Sequence, residues 1–68
     1  MIVFINGENQ QIDSGLSIEK LLEQLDLSQK RLAVEINQDI VPRSEFPIHI
    51  LKEADKIEIV QAIGGGSY

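Results

Sequence analysis

The apolar positions near the amino terminus predict a β-hairpin. Ile2 to Ile5 form a short β-branched and aromatic run that ends at Asn6-Gly7, the dipeptide best suited to a two-residue type I′ turn. We expect a second strand over roughly residues 9–13, closed by the turn residues Ser14-Gly15.

The next pattern has the period of an α-helix. Ser17 is a favourable N-cap residue, and Glu19 places a negative charge in the first turn, where it suits the helix dipole. Four apolar residues follow with helical spacing: Ile18, Leu21, Leu22 and Leu25. The opposite face is polar, so we expect the helix to lie on a sheet with one face in solvent.

The pattern then changes to a period of two. Leu32, Val34 and Ile36 alternate with smaller or polar residues, which predicts a half-buried strand. Further along we expect a turn at 37–39, a brief pairing at 40–41, a loop between Pro42 and Pro47, a short strand at 48–51, a turn at 52–55 and a last strand at 56–62. In the last strand, Ile57 and Ile59 should face the core.

These elements predict one α+β domain. A hairpin, one main helix and returning strands fit the β-grasp arrangement, with the helix packed on a mixed four- or five-stranded sheet. We expect this domain to span residues 1–63. We expect residues 64–68, Gly64-Gly65-Gly66-Ser67-Tyr68, to form a flexible glycine-rich tail. Glycine has no Cβ, and ordering it costs more conformational entropy than ordering other residues.

Composition excludes several classes of function. The net charge of -5 opposes binding to nucleic acid and would suit a protein partner with a basic docking face, although solubility is an equal explanation. With no cysteine, the chain has no disulfide, thiolate metal site or nucleophilic thiol. No signal peptide or membrane-spanning run is apparent, so we expect a cytoplasmic protein.

Side-chain chemistry within the domain gives little support for catalysis. His49 stands alone in an apolar setting, so we expect a packed or surface histidine and no metal site. Glu45 and Asp55 are isolated carboxylates, which are usually solvated. Arg43 could meet an acidic partner, but a salt bridge that braces its loop is the preferred interpretation.

Several segments taken together resemble the thiamine-biosynthesis sulfur carrier family, whose fold is ubiquitin-like. They are Asn6-Gly7-Glu8, Leu21-Leu22, Ala33-Val34-Glu35-Ile36-Asn37, Val41-Pro42-Arg43-Ser44, Leu51-Lys52-Glu53-Ala54-Asp55, Ile57-Glu58-Ile59-Val60 and Gly64-Gly65-Gly66. The resemblance covers nearly the whole chain. It implies the ubiquitin-like β-grasp fold and a carrier that is not itself an enzyme.

The resemblance also implies a chemistry for the glycine tail, at Gly65 and Gly66. A ubiquitin-activating-type adenylyltransferase would use ATP to adenylate the carboxylate of the terminal glycine, which then becomes a thiocarboxylate. The sulfur would come from a donor such as a cysteine desulfurase and would pass to thiazole synthase. The carrier would bind no cofactor of its own.

The last strand and tail should also dock on the partners. Glycines let the tail enter a narrow channel, and apolar residues beside them could supply compensating contacts, which points to Val60, Ala62, Ile63 and Gly64. Ordinary sheet packing is the slightly preferred explanation for Val60 and Ala62.

Two features depart from the family pattern. Members resemble one another in ending at a glycine, whereas Ser67-Tyr68 follow Gly66 here. Removal of the dipeptide, or its origin in a cloning vector, is favoured over loss of carrier activity. The second departure is Ala54, where the family pattern leads us to expect glycine. Positive φ would strain alanine there, whereas a type I turn would accept it.

Two alternative functions remain open from the sequence. One is the related sulfur carrier of molybdopterin synthase, which has the same chemistry in another pathway; the short length and Val41-Pro42-Arg43-Ser44 favour thiamine. The other is a β-grasp interaction module without covalent chemistry, in which residues 64–68 form only a flexible end or a docking strand.

Overall fold

A computed structural model of the chain describes residues 1–61. These residues form one α-helix and a five-stranded sheet. In chain order the elements are β1 (Ile2–Ile5), β2 (Glu8–Gln11), α1 (Ile18–Gln24), β3 (Leu32–Ile36), β4 (Asp39–Val41), a 3-10 turn (Arg43–Glu45) and β5 (Lys56–Gln61). The predicted α+β architecture is confirmed.

The sheet is mixed, with strand order β2-β1-β5-β3-β4. β5 lies in the centre, parallel to β1 and antiparallel to β3. The outer strands come from two hairpins, β1-β2 and β3-β4. This is the β-grasp arrangement, in which the last strand is inserted between the two hairpins.

Both hairpin turns have two central residues with positive φ, the signature of type I′ turns. The angles are 50° and 85° at Asn6 and Gly7, and 51° and 75° at Asn37 and Gln38. The first turn confirms the prediction made from the Asn-Gly dipeptide. β2 begins at Glu8 and ends at Gln11, slightly earlier than predicted, because this tight turn lets Glu8 pair directly with Ile5.

The helix forms where its pattern predicts. The Ser17 hydroxyl accepts a hydrogen bond from the Lys20 backbone N–H at 3.1 Å and so caps the first turn. The apolar face packs on one face of the sheet. The buried apolar residues are Val3, Ile12, Ile18, Leu21, Leu22, Val34, Ile36, Val41, Phe46, Leu51 and Ile57.

The predicted strand at 48–51 is wrong. Within this segment only Ile50 makes a β-bridge, and its partner is Ser17 rather than a strand of the sheet. The Ile18 N–H donates to the His49 carbonyl at 3.0 Å, and the Leu51 N–H donates to the Leu16 carbonyl at 2.8 Å. The segment therefore pairs with the chain that enters the helix, which leaves its backbone unable to extend the sheet.

The turn before β5 has positive φ at Ala54, which is the strained one of the two geometries considered for this residue. The Asp55 N–H donates to the Lys52 carbonyl at 3.1 Å, and Ala54 has a φ of 67°, whereas Glu53 is not among the residues with positive φ. Positive φ at the third residue alone is the pattern of a type II turn, not of type I. Ala54 thus occupies a position that favours glycine.

Candidate functional site

The carboxyl end of β5 leads from the centre of the sheet to the predicted tail. Gln61 is the last described residue and pairs with Leu32 of β3. The predicted site residues Ala62, Ile63, Gly64, Gly65 and Gly66 lie outside the described residues. Their roles, and the predicted domain boundary at residue 63, stay predictions.

β5 is held unequally by its two neighbours. β3 pairs with it along its length, from Ile36 opposite Ile57 to Leu32 opposite Gln61. β1 pairs only with its first part, through Phe4 with Lys56 and Ile5 with Ile57. The two strands separate because the hairpin turn at Asn6 carries the chain away from β5.

The Asn6 side chain extends this shorter pairing. Its Oδ1 accepts a hydrogen bond from the Ile59 N–H at 2.8 Å, and its Nδ2 donates to the Ile59 carbonyl at 3.2 Å. From the sequence alone, Asn6 was predicted only as a turn residue and as part of the family pattern. The available signal was its amide, which can donate and accept at once, as a peptide group does.

A second asparagine holds the beginning of β5. The Asn37 Oδ1 accepts from the Lys56 N–H at 3.0 Å, and its Nδ2 donates to Asp55 Oδ1, also at 3.0 Å. The other oxygen of Asp55 accepts from the Lys52 N–H at 2.8 Å. Asp55 is buried, so the expectation of a solvated carboxylate is wrong for it, and its hydrogen bonds indicate a structural role.

The sheet face opposite the helix is uncovered within residues 1–61, and we call it the open face. Val60 is 60% exposed on this face. The preceding residue, Ile59, lies on the other side of the strand, where its side chain packs against the core. Val60 therefore lies on the sheet surface and outside the core, and its role in docking stays a prediction. Ile40 lies on the same face, since its cross-strand partner is Glu35, and is 73% exposed.

The open face carries a pair of like charges. Glu35 of β3 and Glu58 of β5 are directly opposite each other in the register. Among the described residues, the one salt bridge joins Lys20 to Glu23, on the helix, so neither of these glutamates is neutralised by an ion pair there. Like charges in directly opposed positions destabilise a sheet.

Other candidate residues have structural contacts. Arg43 donates to the Lys30 backbone carbonyl at 3.0 Å, so it braces its loop through a hydrogen bond and not through the predicted salt bridge. His49 is partly buried, and its backbone holds the start of the helix. Glu45 is exposed, as expected. Residues 1–61 contain no cluster of potential ligands that could hold a metal ion.

The helix of the described region is too short to cross a bilayer. This finding concerns residues 1–61 only. The predicted location in the cytoplasm remains a prediction.

Comparison with known proteins identifies the family. The model of the ThiS family matches residues 3–66, and thus includes the glycine run as far as Gly66. The sulfur carrier protein ThiS of Escherichia coli (strain K12) is 41% identical over 66 residues, which cover 97% of this chain and all of that protein.

Two further comparisons add a solved structure and a larger relative. The crystal structure of the thiamine biosynthesis protein ThiS from Geobacter metallireducens has a TM-score of 0.83 and 29% identity, covering 97% of this chain and all of that one. A thiazole synthase of Paramagnetospirillum magneticum is 40% identical over 67 residues, which are 98% of this chain but only 21% of that protein. The match to the family model and the similarity to the Escherichia coli protein along its full length show that this chain belongs to the ThiS family, as its sequence resemblance predicts.

Proposed function

We propose that the chain is a sulfur carrier for thiamine biosynthesis and that its sulfur is carried on the carboxylate of Gly66. The observation that carries this proposal is the extent of the family match, which runs to Gly66 and leaves Ser67 and Tyr68 outside it. The Escherichia coli relative, named a sulfur carrier protein, supports the role of carrier rather than enzyme. The same match favours this pathway over the molybdopterin alternative.

The proposed chemistry has two steps on the tail. The Gly66 carboxylate attacks the α-phosphate of ATP on an activating enzyme, which forms an acyl adenylate and releases pyrophosphate. Hydrosulfide, which a thiol releases from the donor's persulfide as a disulfide forms, then displaces AMP and gives a thiocarboxylate. A carboxylate needs such a leaving group because it is a poor electrophile. Gly65 and Gly66 leave the reacting carbonyl carbon open to approach.

Thiazole synthase is the proposed acceptor of the sulfur. Two relatives that match nearly all of this chain are named thiazole synthases, and the chain spans 21% of each. A carrier-like segment in the same polypeptide as a synthase supports a shared function. The adenylyltransferase and a cysteine desulfurase are the other proposed partners, and we place all these steps in the cytoplasm.

The open face supplies a docking surface beside the tail. Val60 is exposed there next to residues 62–64, which we propose enter the partner's channel. A pocket of about 170 Å³ lies farther along the same strand, lined by Phe4, Gly7, Lys56 and Glu58. The net charge of -5 and the paired glutamates fit a partner with a basic face, which would increase the association rate.

The experiment compares three proteins with the purified activating enzyme: residues 1–66, residues 1–68 and the 1–66 form with Gly66→Ala. ATP–pyrophosphate exchange measures adenylation. We expect exchange with the 1–66 protein, none with the 1–68 protein, and a strong loss with Gly66→Ala, whose methyl group obstructs the reacting carbon. Equal exchange with the 1–66 and 1–68 proteins would contradict Gly66 as the site of activation.

The docking surface is tested separately with Val60→Ser in the 1–66 protein. The matched control is Ile48→Ser, because Ile48 is 74% exposed and lies away from the sheet. We expect Val60→Ser to raise the KM for the carrier, whereas Ile48→Ser should leave it unchanged. The same KM for both variants would refute docking through Val60.

A further inference from the structure

The Asn6 side chain continues the hydrogen bonding between β1 and β5 beyond the end of β1. In the backbone pairing of β1 with β5, the Phe4 N–H donates to the Asp55 carbonyl at 2.9 Å and the Asn6 N–H donates to the Ile57 carbonyl at 2.8 Å. The next backbone groups of β5 that face β1 are those of Ile59. The backbone that follows β1 does not reach them, because it turns away at Asn6, whose φ is 50°.

The amide of Asn6 takes the place of the missing peptide group. Its oxygen accepts from the Ile59 N–H and its nitrogen donates to the Ile59 carbonyl, so both backbone groups of Ile59 on this side are satisfied. On the other side, Ile59 pairs with Val34 of β3. β5 is thus held from both sides as far as Ile59, whereas Gln61 pairs with β3 through Leu32.

We propose that Asn6 is a positioning residue for activation of the tail. By holding Ile59 from the β1 side, it fixes the end of β5 from which the residues leading to Gly66 continue. Without this contact, β3 alone would hold the last residues of β5, so part of their ordering would occur only when the carrier docks. Ordering backbone costs conformational entropy, which weakens binding. The inference rests on the proposed function, since activation of the tail is the step it affects.

Asn37 provides a matched control within the same strand. It is also the first residue of a two-residue turn with positive φ, and its side chain also makes two hydrogen bonds, to Lys56 and Asp55. It holds the beginning of β5, whereas Asn6 holds the part next to the tail. A purely structural role would give Asn6 and Asn37 similar effects on activation.

The test uses Asn6→Gly and Asn37→Gly in the 1–66 protein. Glycine accepts positive φ, so each turn is preserved and only the side-chain contacts are lost. We expect Asn6→Gly to raise the KM for the carrier about three- to tenfold with little change in kcat. The reason is that the end of β5 is less ordered before binding, so the cost of ordering it weakens binding. Asn37→Gly should leave KM near that of the unsubstituted protein. Assays are run at a temperature at which circular dichroism shows both variants folded.

A third variant and a direct measurement complete the test. Asn6→Asp keeps the acceptor for the Ile59 N–H but loses the donor, so its KM should be intermediate. Amide hydrogen exchange at Ile59 and at Val60, which lies opposite Ala33 of β3, should be faster in Asn6→Gly than in Asn37→Gly. Equal KM values for the two glycine variants would overturn the proposal, as would unchanged exchange at Ile59. If the unsubstituted 1–66 protein is not adenylated, the proposed function fails, and the exchange rates alone then decide whether Asn6 fixes this end of β5.

Discussion

Replacement of Ala54 by glycine should stabilise the protein. Ala54 has a φ of 67° at the third position of the turn before β5, where a Cβ is unfavourable. Its side chain is exposed, so removing the methyl group leaves no cavity in the core. The Ala54 N–H donates to the Ile2 carbonyl at 2.7 Å, and this backbone contact remains in the glycine variant.

The size of the effect follows from two opposing terms. Left-handed backbone costs a residue with a Cβ about 1–2 kcal/mol. Relief of this strain in the glycine variant is partly offset, by about 0.4–1 kcal/mol, because glycine has more conformational freedom than alanine in the unfolded chain. The midpoints of the two terms differ by about 0.8 kcal/mol, so we expect the free energy of unfolding to increase by about 0.5–1 kcal/mol. This corresponds to a rise in Tm of about 2–8 °C in a domain of this size.

Thermal and urea unfolding followed by circular dichroism measure this change. The control is Ala33→Gly, since Ala33 is also exposed but lies in β3 with ordinary strand geometry. Glycine in a strand should lower stability by about 0.5–1 kcal/mol. An unchanged or lower Tm for Ala54→Gly, or a shift of Tm in the same direction for both variants, would show that positive φ does not strain Ala54.

Two further substitutions test the helix cap and the open face. Ser17→Ala removes the hydroxyl that accepts from the Lys20 N–H and should lower the free energy of unfolding by about 1 kcal/mol in urea titration, whereas the exposed Ser28→Ala should change it little. Glu58→Gln relieves repulsion with Glu35 and should raise the free energy of unfolding by about 0.2–1 kcal/mol, with a smaller gain in high salt. A gain from Glu58→Gln that does not decrease with salt would argue against charge repulsion as its cause.

The parts of the fold that could be predicted are those in which local pattern and tertiary packing agree. The helix has its N-cap at Ser17 and its apolar face on the sheet, and β3 alternates between more buried and more exposed residues. The type I′ turn follows from Asn6-Gly7 alone. In each case a few neighbouring residues contain the information, so no long-range contact was needed to find the element.

The errors arose where distant segments decide the local structure. Residues 48–51 have the composition of a short strand, but their backbone pairs with the chain that enters the helix, and only the folded structure brings these segments together. The contact of Asn6 with Ile59 joins residues 53 positions apart and depends on the insertion of β5 beside β1. The exposure of Val60 likewise depends on which sheet face the helix covers.

The candidate site divides in the same way. Gly65 and Gly66 were predicted as site residues through their place in a family pattern, and the family match includes both. No local rule of backbone or packing could suggest the proposed role, because the proposed chemistry is carried out by another protein. The contacts of Asn6 and the paired charges of Glu35 and Glu58 required the sheet register.

Intact mass spectrometry of the protein isolated from thiamine-starved cells of its own source shows whether Gly66 carries sulfur. We expect a species whose last residue is Gly66 and in which part of the population has sulfur in place of one carboxylate oxygen. Treatment with an alkylating reagent that reacts with thiocarboxylates should shift the mass of that fraction alone. Protein that always retains Ser67 after Gly66, with no sulfur-bearing fraction under starvation, would show that Gly66 does not carry sulfur in this protein.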